Sequence, residues 1–593
     1  MAVYIQSESI VSPLGIGAEV NFLALQKGES GIQKHVDANF NKESFWASIV
    51  PEQLLSQPEN SPLTANSWNE CSKLEKMIFW AICDAIQLVN VNLSDSKTIL
   101  IFTTTKGNIH LADKGLSEDL YLSSTAQKVG QSFGNPNQVL TISNACISGL
   151  SGLLVGKRLL EQGIYEKAIV FGADLFSEFT FSGFTSFKAI SPVACQPYDV
   201  NRQGINLGEA ASAIVLSKEW SEIELIGGAS SNDANHISGP SRTGEGLKIA
   251  INNAMQEAGV RVEDLGFISL HGTGTTFNDE MECQALNGLG LEKIPSHSLK
   301  AYYGHTLGAA GVLESAISIQ MLRKGKTLPS KGFMQAGTTL SMHIENKVST
   351  LEKPALLKTA SGFGGCNAAL VFRKSELDKK ENSVELPNLV TSIPFELEIR
   401  PGEIIRNGEV LYSQHFFGNT DEWLNQAFRD LTPGYLKFFK MDRLCKLGML
   451  GLGLLLKNNT ILGQYASDEV ALVFANRSSS LDTDLVHQAS LMDKANYFPS
   501  PAVFVYTLPN IILGEAAIKY GFKGENIFLV MPELDEKILR QQVESLFYQS
   551  LTKLVIVGWI ELLQDKFQCK LGIIEKSESN SFTFTPPTIS KIP

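Results

Sequence analysis

The stretch that decides the fold is Gln138–Gly163, which reads QVLTISNACISGLSGLLVGKRLLEQG. Val139–Ile142 is a short apolar run with β-branched residues, a pattern typical of a buried strand. From Cys146 onward leucines recur at helical spacing, and Gly163 is a suitable C-terminal stop. The pattern predicts that a strand delivers Cys146 to the first turn of a helix, where the helix dipole favours a thiolate. Taken alone, the stretch leaves a buried structural cysteine as an equal alternative.

Length and composition set the class of protein. A chain of 593 residues with 44% hydrophobic and 19% charged residues is expected to form two or more globular domains. The net charge of −12 argues against general nucleic-acid affinity. Eight cysteines without paired or metal-like spacing fit a reducing compartment. The start lacks the form of a signal peptide, and the apolar run 447–456 is too short to span a bilayer, so we expect a cytoplasmic protein without a membrane span.

Strand and helix patterns alternate along the first two thirds of the chain. Apolar runs at 98–102, 167–171 and 267–270 predict strands, and 73–89 and 244–258 predict helices. Alternation at this spacing indicates layered α/β structure.

Two histidines stand in small-residue loops. The strand 267–270 runs into His271-Gly-Thr273-Gly-Thr275, and a histidine at a strand end is a usual position for a catalytic group. A turn with a solvated histidine is the alternative for this motif alone. Further on, Lys300 precedes His305, which opens the small-residue stretch GHTLGAAG.

Other candidates follow these two loops. Asp279 and Glu282 come after His271, and Lys300 and Glu314 are charges that need partners if they are buried. The segment SGFGGCN, residues 361–367, contains glycines that permit a tight turn whose N–H groups can face a reacting centre.

The order and spacing of four motifs resemble those of the β-ketoacyl-acyl-carrier-protein synthases. The motifs are Cys146, His271, His305 and the GFGG loop. These synthases are the condensing enzymes of fatty-acid and polyketide assembly. The resemblance covers residues 1–378 and implies a catalytic domain with a thiolase-like layered αβαβα fold. It would consist of two related halves, about 1–218 and 219–378.

The resemblance implies a role for each motif. Cys146 would take an acyl group from the phosphopantetheine of an acyl carrier protein as a thioester. His271 and His305 would donate hydrogen bonds to the malonyl thioester carbonyl, with Lys300 and Glu314 as electrostatic support. The backbone N–H groups of Cys146 and Phe363 would form the oxyanion hole, and the Phe363 side chain would act as the gate.

Further positions match the family. Thr273 and Thr275 would hold the pantetheine arm, and Asp279 and Glu282 would support the histidine loop. The reaction driven by decarboxylation requires no metal or redox cofactor. Cys366 departs from the usual Thr or Ser; a second cysteine is a thiolase feature, but the two-histidine pattern favours the malonyl class. Cys366 is then a packing substitute, and Cys195 is inert.

The last third repeats the first half in outline. After a charged linker, residues 379–391, the stretch 392–593 contains DEVALVF at 468–474 and KLVIVGWIEL at 553–562, which echo the strands at 95–102 and 167–175. The nucleophile has no counterpart, because the equivalent positions are Pro532 and Glu533. We expect a second, incomplete and noncatalytic thiolase-like half domain.

A half-synthase without a nucleophile resembles the chain-length factors that accompany ketosynthases of bacterial aryl polyene and flexirubin-type pathways. The resemblance implies that residues 392–580 mimic a dimer partner, in a homodimer or an intramolecular pseudo-dimer, with residues 503–508 on the floor of the acyl tunnel. A vestigial stabilising half domain is the alternative. For the whole chain, a malonyl decarboxylase, a thiolase-like acyltransferase and a noncatalytic scaffold remain alternatives to the condensing enzyme.

Overall fold

The computed structural model describes residues 2–36, 44–87, 89, 91–375, 390, 392–492 and 497–576. Of the predicted linker, only Val390 is among them; residues 379–389 and 391 lie outside the described residues, as do residues 577–593 of the predicted C-terminal domain. Among the described residues, no helix is long and apolar enough to cross a membrane.

The first sheet contains five strands in the order Leu140–Ile142, Thr98–Thr103, Lys167–Asp174, Ala210–Ser217 and Tyr4–Ser12. The first three run parallel, and the last two join antiparallel. The parallel strands are mostly apolar and are buried along almost their whole length, because helices cover both faces.

The second sheet repeats this order with Ser296–Ser298, Leu265–Leu270, Ala355–Gly362, Cys366–Lys374 and Ile223–Asn232. Two helices, Ser148–Glu161 and Ala310–Lys324, pack against each other between the two sheets. They approach backbone to backbone, since a Cβ on Gly311 would lie 2.5 Å from the backbone nitrogen of Leu150. The predicted two-half layered arrangement is thus present.

A third sheet has the same strand order again. The repeat in the sequence therefore corresponds to a repeat in the fold. Its strands are Asn526–Val530, Val470–Asn476, Leu554–Leu563, Lys566–Glu575 and Leu397–Arg400. Helix Glu536–Gln549 takes the place that Ser148–Glu161 has in the first half, and Arg443–Leu455 packs on the opposite face. We call the described residues from 392 to 576 the C-terminal unit. The described residues from 2 to 375, which belong to the predicted catalytic domain, we call the catalytic unit. The prediction of an incomplete second thiolase-like half is confirmed.

The first and third sheets join edge to edge. Strand Leu140–Ile142 pairs antiparallel with Asn526–Val530, with Ile142 opposite Leu529. The pairing joins two parts of the same chain. A buried ion pair reinforces it, because both terminal nitrogens of Arg158 donate to the Glu525 carboxylate, at 2.9 and 2.6 Å.

The other elements complete the layers and connections. The helices are Ala18–Gln26, Ala65–Asn69, Lys73–Gln87, Leu122–Ser132, Glu178–Ser186, Glu245–Ala258, Thr276–Gly288, Lys300–Tyr303, Thr420–Leu431, Leu481–Met492, Pro501–Val505 and Ile511–Tyr520. The short strands are Gly15–Ile16, Ile32–Val36, Ser44–Ser48, Leu207–Gly208, Glu403–Arg406 and Glu409–Ser413. The 3₁₀ turns are Glu52–Leu54, Ile109–Lys114, Glu118–Leu120, Ala145–Ile147, Val262–Asp264, Leu307–Ala309, Leu436–Lys440 and Ile461–Gln464.

Candidate active site

Cys146 lies on a sharp turn between the edge strand of the first sheet and the central helix Ser148–Glu161. The preceding Ala145 has a φ of 49°, a left-handed conformation that is uncommon for a residue with a side chain. The Ser148 hydroxyl stabilises the turn by accepting from the Asn144 N–H at 2.8 Å and donating to the Ala145 carbonyl at 2.6 Å. The turn leaves Cys146 partly exposed, whereas the other described cysteines are buried.

Both predicted histidines meet the thiol. His305 Nε2 lies 2.9 Å from the Cys146 sulfur, and the rings of His271 and His305 are 5.2 Å apart and nearly perpendicular. The sulfur and one nitrogen of each imidazole all lie within 4.8 Å of one another. The structure therefore brings together three residues that are up to 159 positions apart in sequence.

His305 is arranged as a hydrogen-bond donor, and both histidines are neutral. The Leu307 N–H donates to His305 Nδ1 at 3.3 Å, so this nitrogen carries a lone pair and Nε2 carries the proton. Burial, followed by the charges of Lys300 and Lys358, holds the pKa of His271 and of His305 well below the usual range. Both imidazoles are neutral at physiological pH, and the Nε2 proton of His305 faces the thiol.

Two lysines share one buried carboxylate beside the histidines. Lys300 and Lys358 both pair with Glu314, the second at 2.6 Å, and all three side chains are almost completely buried. Burial raises the pKa of Glu314, but the two lysines outweigh it and hold the pKa below its usual value. The pairing of Lys300 with Glu314 matches the sequence prediction. The sequence analysis did not identify Lys358. The feature that could have identified it is a charged residue inside the otherwise mostly apolar strand ALLKTASG.

The predicted supporting carboxylates hold the histidine loop through its backbone. Glu282 accepts hydrogen bonds from the N–H groups of His271 at 2.7 Å and Gly272 at 2.8 Å. Asp279 accepts from the Gly274 N–H at 3.2 Å, and burial raises its pKa to about 7. Thr273 and Thr275 share a hydrogen bond between their hydroxyl oxygens at 2.8 Å.

The GFGG loop passes beside the nucleophile and is held by the C-terminal unit. A Cβ on Gly362 would lie 3.1 Å from the Cys146 nitrogen, which places the start of the loop next to the predicted oxyanion donor. The side-chain amide of Asn510 donates to the Phe363 carbonyl at 2.8 Å. Gly514 lets its helix touch the loop, because a Cβ there would lie 2.6 Å from the Gly364 oxygen. The sequence shows the TLPN segment that contains Asn510, but it does not show this contact.

The C-terminal unit also holds the nucleophile turn. Asn144 donates to the Asn526 carbonyl at 3.0 Å and accepts from the Phe528 N–H at 3.1 Å. The strand pairing and these two bonds fix the backbone two residues before Cys146. Both sides of the reacting centre are therefore in contact with the C-terminal unit.

Five phenylalanines continue from the GFGG loop into the interface between the two units. We call them the aromatic row, and they are Phe363, Phe184, Phe187, Phe504 and Phe179. Phe363 lies 5.9 Å from Phe184 between ring centroids, Phe184 lies 5.6 Å from Phe504, and Phe504 lies 6.3 Å from Phe179. Only Phe504 belongs to the C-terminal unit, and it lies within the predicted tunnel-floor segment 503–508.

The protonation of Cys146 differs from the sequence prediction. The helix dipole alone favours a thiolate, but burial raises the pKa of the Cys146 thiol to about 12, and Lys300 only partly opposes this effect. The prediction of a resting thiolate is therefore wrong for the free site. The desolvated surroundings of the sulfur outweigh the partial charge at a helix terminus.

The two other cysteines named from sequence are buried near the site. Cys366 contacts the Phe363 carbonyl at 3.3 Å, and burial raises its pKa well above the usual value. Cys195 contacts the Lys300 carbonyl at 3.3 Å, and burial raises its pKa to about 12. Both are in positions of packing residues, and neither is poised as a nucleophile.

Two family models match parts of the chain that contain this site. Residues 113–220 match the beta-ketoacyl synthase N-terminal domain, and residues 223–334 match the beta-ketoacyl synthase C-terminal domain. The two matches follow one another along the chain and together span residues 113–334, apart from two residues between them. The first match contains Cys146, and the second contains His271 and His305.

Curated relatives and solved structures agree with these matches. The 3-oxoacyl-[acyl-carrier-protein] synthase 2 of Vibrio cholerae is 28% identical over 426 residues, with 63% of this chain and 99% of the relative covered. The enzyme of the same name from Rhizobium meliloti is 26% identical, with 63% and 98% covered.

Among solved structures, a ketosynthase in complex with its chain length factor from Xenorhabdus doucetiae is 26% identical with a TM-score of 0.56, covering 63% of this chain and 98% of that one. The PfaC keto synthase–chain length factor has a TM-score of 0.77 at 15% identity and covers 98% of this chain and 79% of that one. The thiolase-like ketosynthase fold is thus confirmed, and the second likeness extends it through the C-terminal unit.

Alkylation of Cys146 tests its protonation. Because the pKa of the thiol is raised, the thiolate fraction increases with pH throughout the usual range, and the iodoacetamide rate is expected to rise about tenfold per pH unit from pH 7 to 10. Labelling followed by intact mass measures the rate, and Cys146→Ala identifies the labelled site. A plateau below pH 8 would show that a thiolate is already favoured in the free site.

Asn510 is expected to position the GFGG loop. Asn510→Ala removes the amide donor and leaves the Phe363 carbonyl with only the weak thiol donor of Cys366, and loss of a hydrogen bond to a buried acceptor typically costs about 1–3 kcal/mol. We expect the rate of Cys146 acylation to fall about tenfold with little change in thermal stability. Gln426→Ala, on the outer helix Thr420–Leu431 of the same unit, is the control and should acylate normally. Equal rates for the two variants would contradict the positioning role.

Proposed function

We propose that this protein catalyses the decarboxylative Claisen condensation of an acyl chain with a malonyl-acyl-carrier protein. In the first step the Cys146 thiol attacks the acyl thioester, so that the acyl group passes to sulfur and the carrier thiol leaves with the proton. In the second step the malonyl thioester loses carbon dioxide to give an enolate. The enolate carbon attacks the acyl-cysteine, the carbon–sulfur bond breaks to release the β-ketoacyl thioester, and the Cys146 thiolate that leaves takes a proton from water to restore the thiol.

The observation that carries the proposal is the pair of neutral imidazoles, His271 and His305, beside Cys146, in which His305 presents its Nε2 proton to the sulfur. An enolate oxygen needs hydrogen-bond donors that do not have to lose a proton to act, and burial, together with the charges of the nearby lysines, keeps both imidazoles neutral. A thiolase-type reaction instead needs a second thiol as acid, and Cys366 does not fit that role. Its pKa is raised well above the usual value, and it lies against the Phe363 carbonyl.

Each further residue has a proposed task that follows from its contacts. The N–H groups of Cys146 and Phe363 form the oxyanion hole, where one donor is typically worth about 3 kcal/mol in the transition state. Lys300, Lys358 and Glu314 set the charge behind the histidines. Thr273 and Thr275 lie on the loop after His271 and bind the pantetheine arm, and the partner that presents this arm is an acyl carrier protein.

We further propose that the C-terminal unit acts as a fused chain-length factor. It has the topology of a synthase half without a nucleophile, it contacts both the nucleophile turn and the GFGG loop, and it contributes Phe504 to the aromatic row. A likeness to a ketosynthase in complex with its chain length factor supports this assignment. An aryl polyene or flexirubin-type pathway is the setting that the sequence resemblance favours.

The reaction is tested by incubating the protein with acyl- and malonyl-acyl-carrier protein and measuring the products by mass spectrometry. We expect a β-ketoacyl product extended by two carbons, and loss of this product in Cys146→Ala. Release of carbon dioxide without extension in the unmodified protein would instead indicate a malonyl decarboxylase. No reaction of either kind would leave a noncatalytic scaffold.

Phe504 is expected to limit product length. A Cβ on Gly183 would overlap the Phe504 ring, so this ring fills space against the catalytic unit with no gap. Phe504→Ala opens that space and should shift the products toward longer chains by at least one two-carbon extension. Val470→Ala is the control, because Val470 packs into the core of the C-terminal unit and lies outside segment 503–508 and outside the row. Unchanged product length in Phe504→Ala would reduce the unit to a stabilising role.

A further inference from the structure

A buried carboxylate near the nucleophile takes no part in the condensation as described. Asp174 is the last residue of its strand and is fully buried. It accepts hydrogen bonds from the Thr105 N–H at 3.0 Å and the Lys106 N–H at 3.1 Å, which belong to one loop. It also accepts from the Gly308 N–H at 2.7 Å, which belongs to another. One carboxylate therefore holds two loops together.

The loop that contains Gly308 decides which nitrogen of His305 carries the proton. Leu307 has a φ of 53°, a left-handed conformation that is uncommon for a residue with a side chain, and its N–H donates to His305 Nδ1. A Cβ on Gly308 would lie 2.8 Å from an Asp174 oxygen and 2.7 Å from the Thr104 backbone, so the loop touches both. The hydrogen bond from Gly308 to Asp174 thus holds Leu307 in its uncommon conformation.

The other loop connects Asp174 to the C-terminal unit. The Lys106 ammonium group crosses the interface and donates to the Asp484 carboxylate at 2.8 Å, and both side chains are buried. His487 is a titratable group on the same helix as Asp484; its Nε2 lies 3.2 Å from the Phe179 carbonyl, and burial lowers its pKa to about 4, so it is neutral. The ion pair fixes Lys106, whose own N–H donates to Asp174.

We propose that Asp174 is a positioning residue that keeps the His305 proton directed at the reacting centre. The inference deepens the proposed function and rests on it, since the condensation uses that proton as a donor to the enolate oxygen. Asp174 acts through the Leu307 N–H, which occupies the lone pair of Nδ1. If this N–H moves away, the proton is free to shift to Nδ1, and Nε2 becomes an acceptor that repels an enolate.

The same carboxylate acts on the thiol in the opposite sense. Burial raises the pKa of the Cys146 thiol, Lys300 lowers it, and Asp174 and Glu314 raise it further. Burial also raises the pKa of Asp174, and its hydrogen bonds oppose this effect. Both of its oxygens face backbone N–H groups, which can only donate, so the charged form fits this site. Removal of the charge should make the thiol more reactive and the histidine a poorer donor.

The experiment compares Asp174→Asn with the unmodified full-length protein. The amide retains the shape but has no charge, and in either orientation its NH₂ group faces a backbone N–H. Release of carbon dioxide from malonyl-acyl-carrier protein during condensation should fall about a hundredfold, the usual effect of losing one donor to a developing oxyanion. Alkylation of Cys146 by iodoacetamide at pH 8 should instead rise about tenfold, because a larger fraction of the thiol is ionised.

Nitrogen NMR of protein that contains ¹⁵N-labelled histidine shows the tautomer directly and needs no substrate. The His305 signals, identified by their absence in His305→Ala, should show an unprotonated Nδ1 in the unmodified protein and a protonated Nδ1 in Asp174→Asn. Gly308→Ala separates the two effects, because the added methyl group displaces the loop but leaves the charge of Asp174. It should slow the release of carbon dioxide and leave the alkylation rate unchanged.

Asp199→Asn is the matched control. Asp199 is also a buried carboxylate that accepts from backbone N–H groups, those of Met334 at 2.8 Å and Gln335 at 2.9 Å, but these belong to a different loop. This variant should retain the His305 tautomer and the alkylation rate of Cys146.

Two outcomes would overturn the proposal. An unchanged His305 tautomer in both Asp174→Asn and Gly308→Ala shows that the loop keeps its position without Asp174. Labelling of several of the eight cysteines in Asp174→Asn, with no increase at Cys146, reduces Asp174 to a structural role. If the unmodified protein releases no carbon dioxide and extends no chain, the proposed function fails, whereas the NMR result still decides whether Asp174 sets the tautomer.

Discussion

The pairing of strand Leu140–Ile142 with strand Asn526–Val530 is the contact on which the rest of the site depends. It satisfies the edge of the first sheet, which would otherwise present unpaired backbone groups next to the nucleophile. It also brings Asn526 and Phe528 to the side chain of Asn144, two residues before Cys146. The strained turn at Ala145 is then fixed from both sides, by Ser148 within the catalytic unit and by the C-terminal unit across the interface.

A second constraint is electrostatic and acts on the histidines. Three charged side chains, Lys300, Lys358 and Glu314, are buried together, and one carboxylate serves two ammonium groups. The surplus positive charge, added to burial, keeps the neighbouring imidazoles neutral. A neutral imidazole whose Nδ1 accepts from the backbone presents Nε2–H as a fixed donor, and that is the form an enolate requires.

The sequence predicted much of the fold and brought most of the site residues to attention. The cysteine turn, the two histidine loops and the GFGG loop each have a local signal, because glycine, small residues and apolar runs report backbone requirements directly. The repeat was visible because strands such as Leu554–Leu563 retain the apolar pattern of Lys167–Asp174. The expectation of a thiolate was wrong because the sequence shows the helix terminus but not the burial of the sulfur. Burial raises the pKa of the thiol, and it depends on all the residues that surround the sulfur in the fold.

The residues that sequence reasoning missed are those whose role exists only across the fold. Lys358 resembles an ordinary strand residue until the pairing of the second sheet places it on Glu314. Asn510 and His487 belong to a unit without a nucleophile, so no motif connects them to Phe363 and Phe179, from which they are 147 and 308 positions away. Their contacts with Phe363 and Phe179 follow from the docking of the two units, which the repeat suggested but whose register it could not specify.

The C-terminal unit corresponds to only one half of the fold of the catalytic unit, and this explains why the two units dock within one chain. In the catalytic unit the central helix Ser148–Glu161 is buried because a second half, with helix Ala310–Lys324, covers it. Within the described part of the chain, no second half of the C-terminal unit covers the equivalent helix, Glu536–Gln549. Its apolar side chains instead share a core with the catalytic unit and with Val390 and Ile393, and the Val390 N–H donates to Glu544 at 3.0 Å. Burying that face is strongly favourable, at roughly 25 cal/mol per Å² of apolar surface. The described part of the C-terminal unit therefore buries its inner helix only by docking, and the docked position is the one that supplies Asn510, Phe504 and His487 to the catalytic unit.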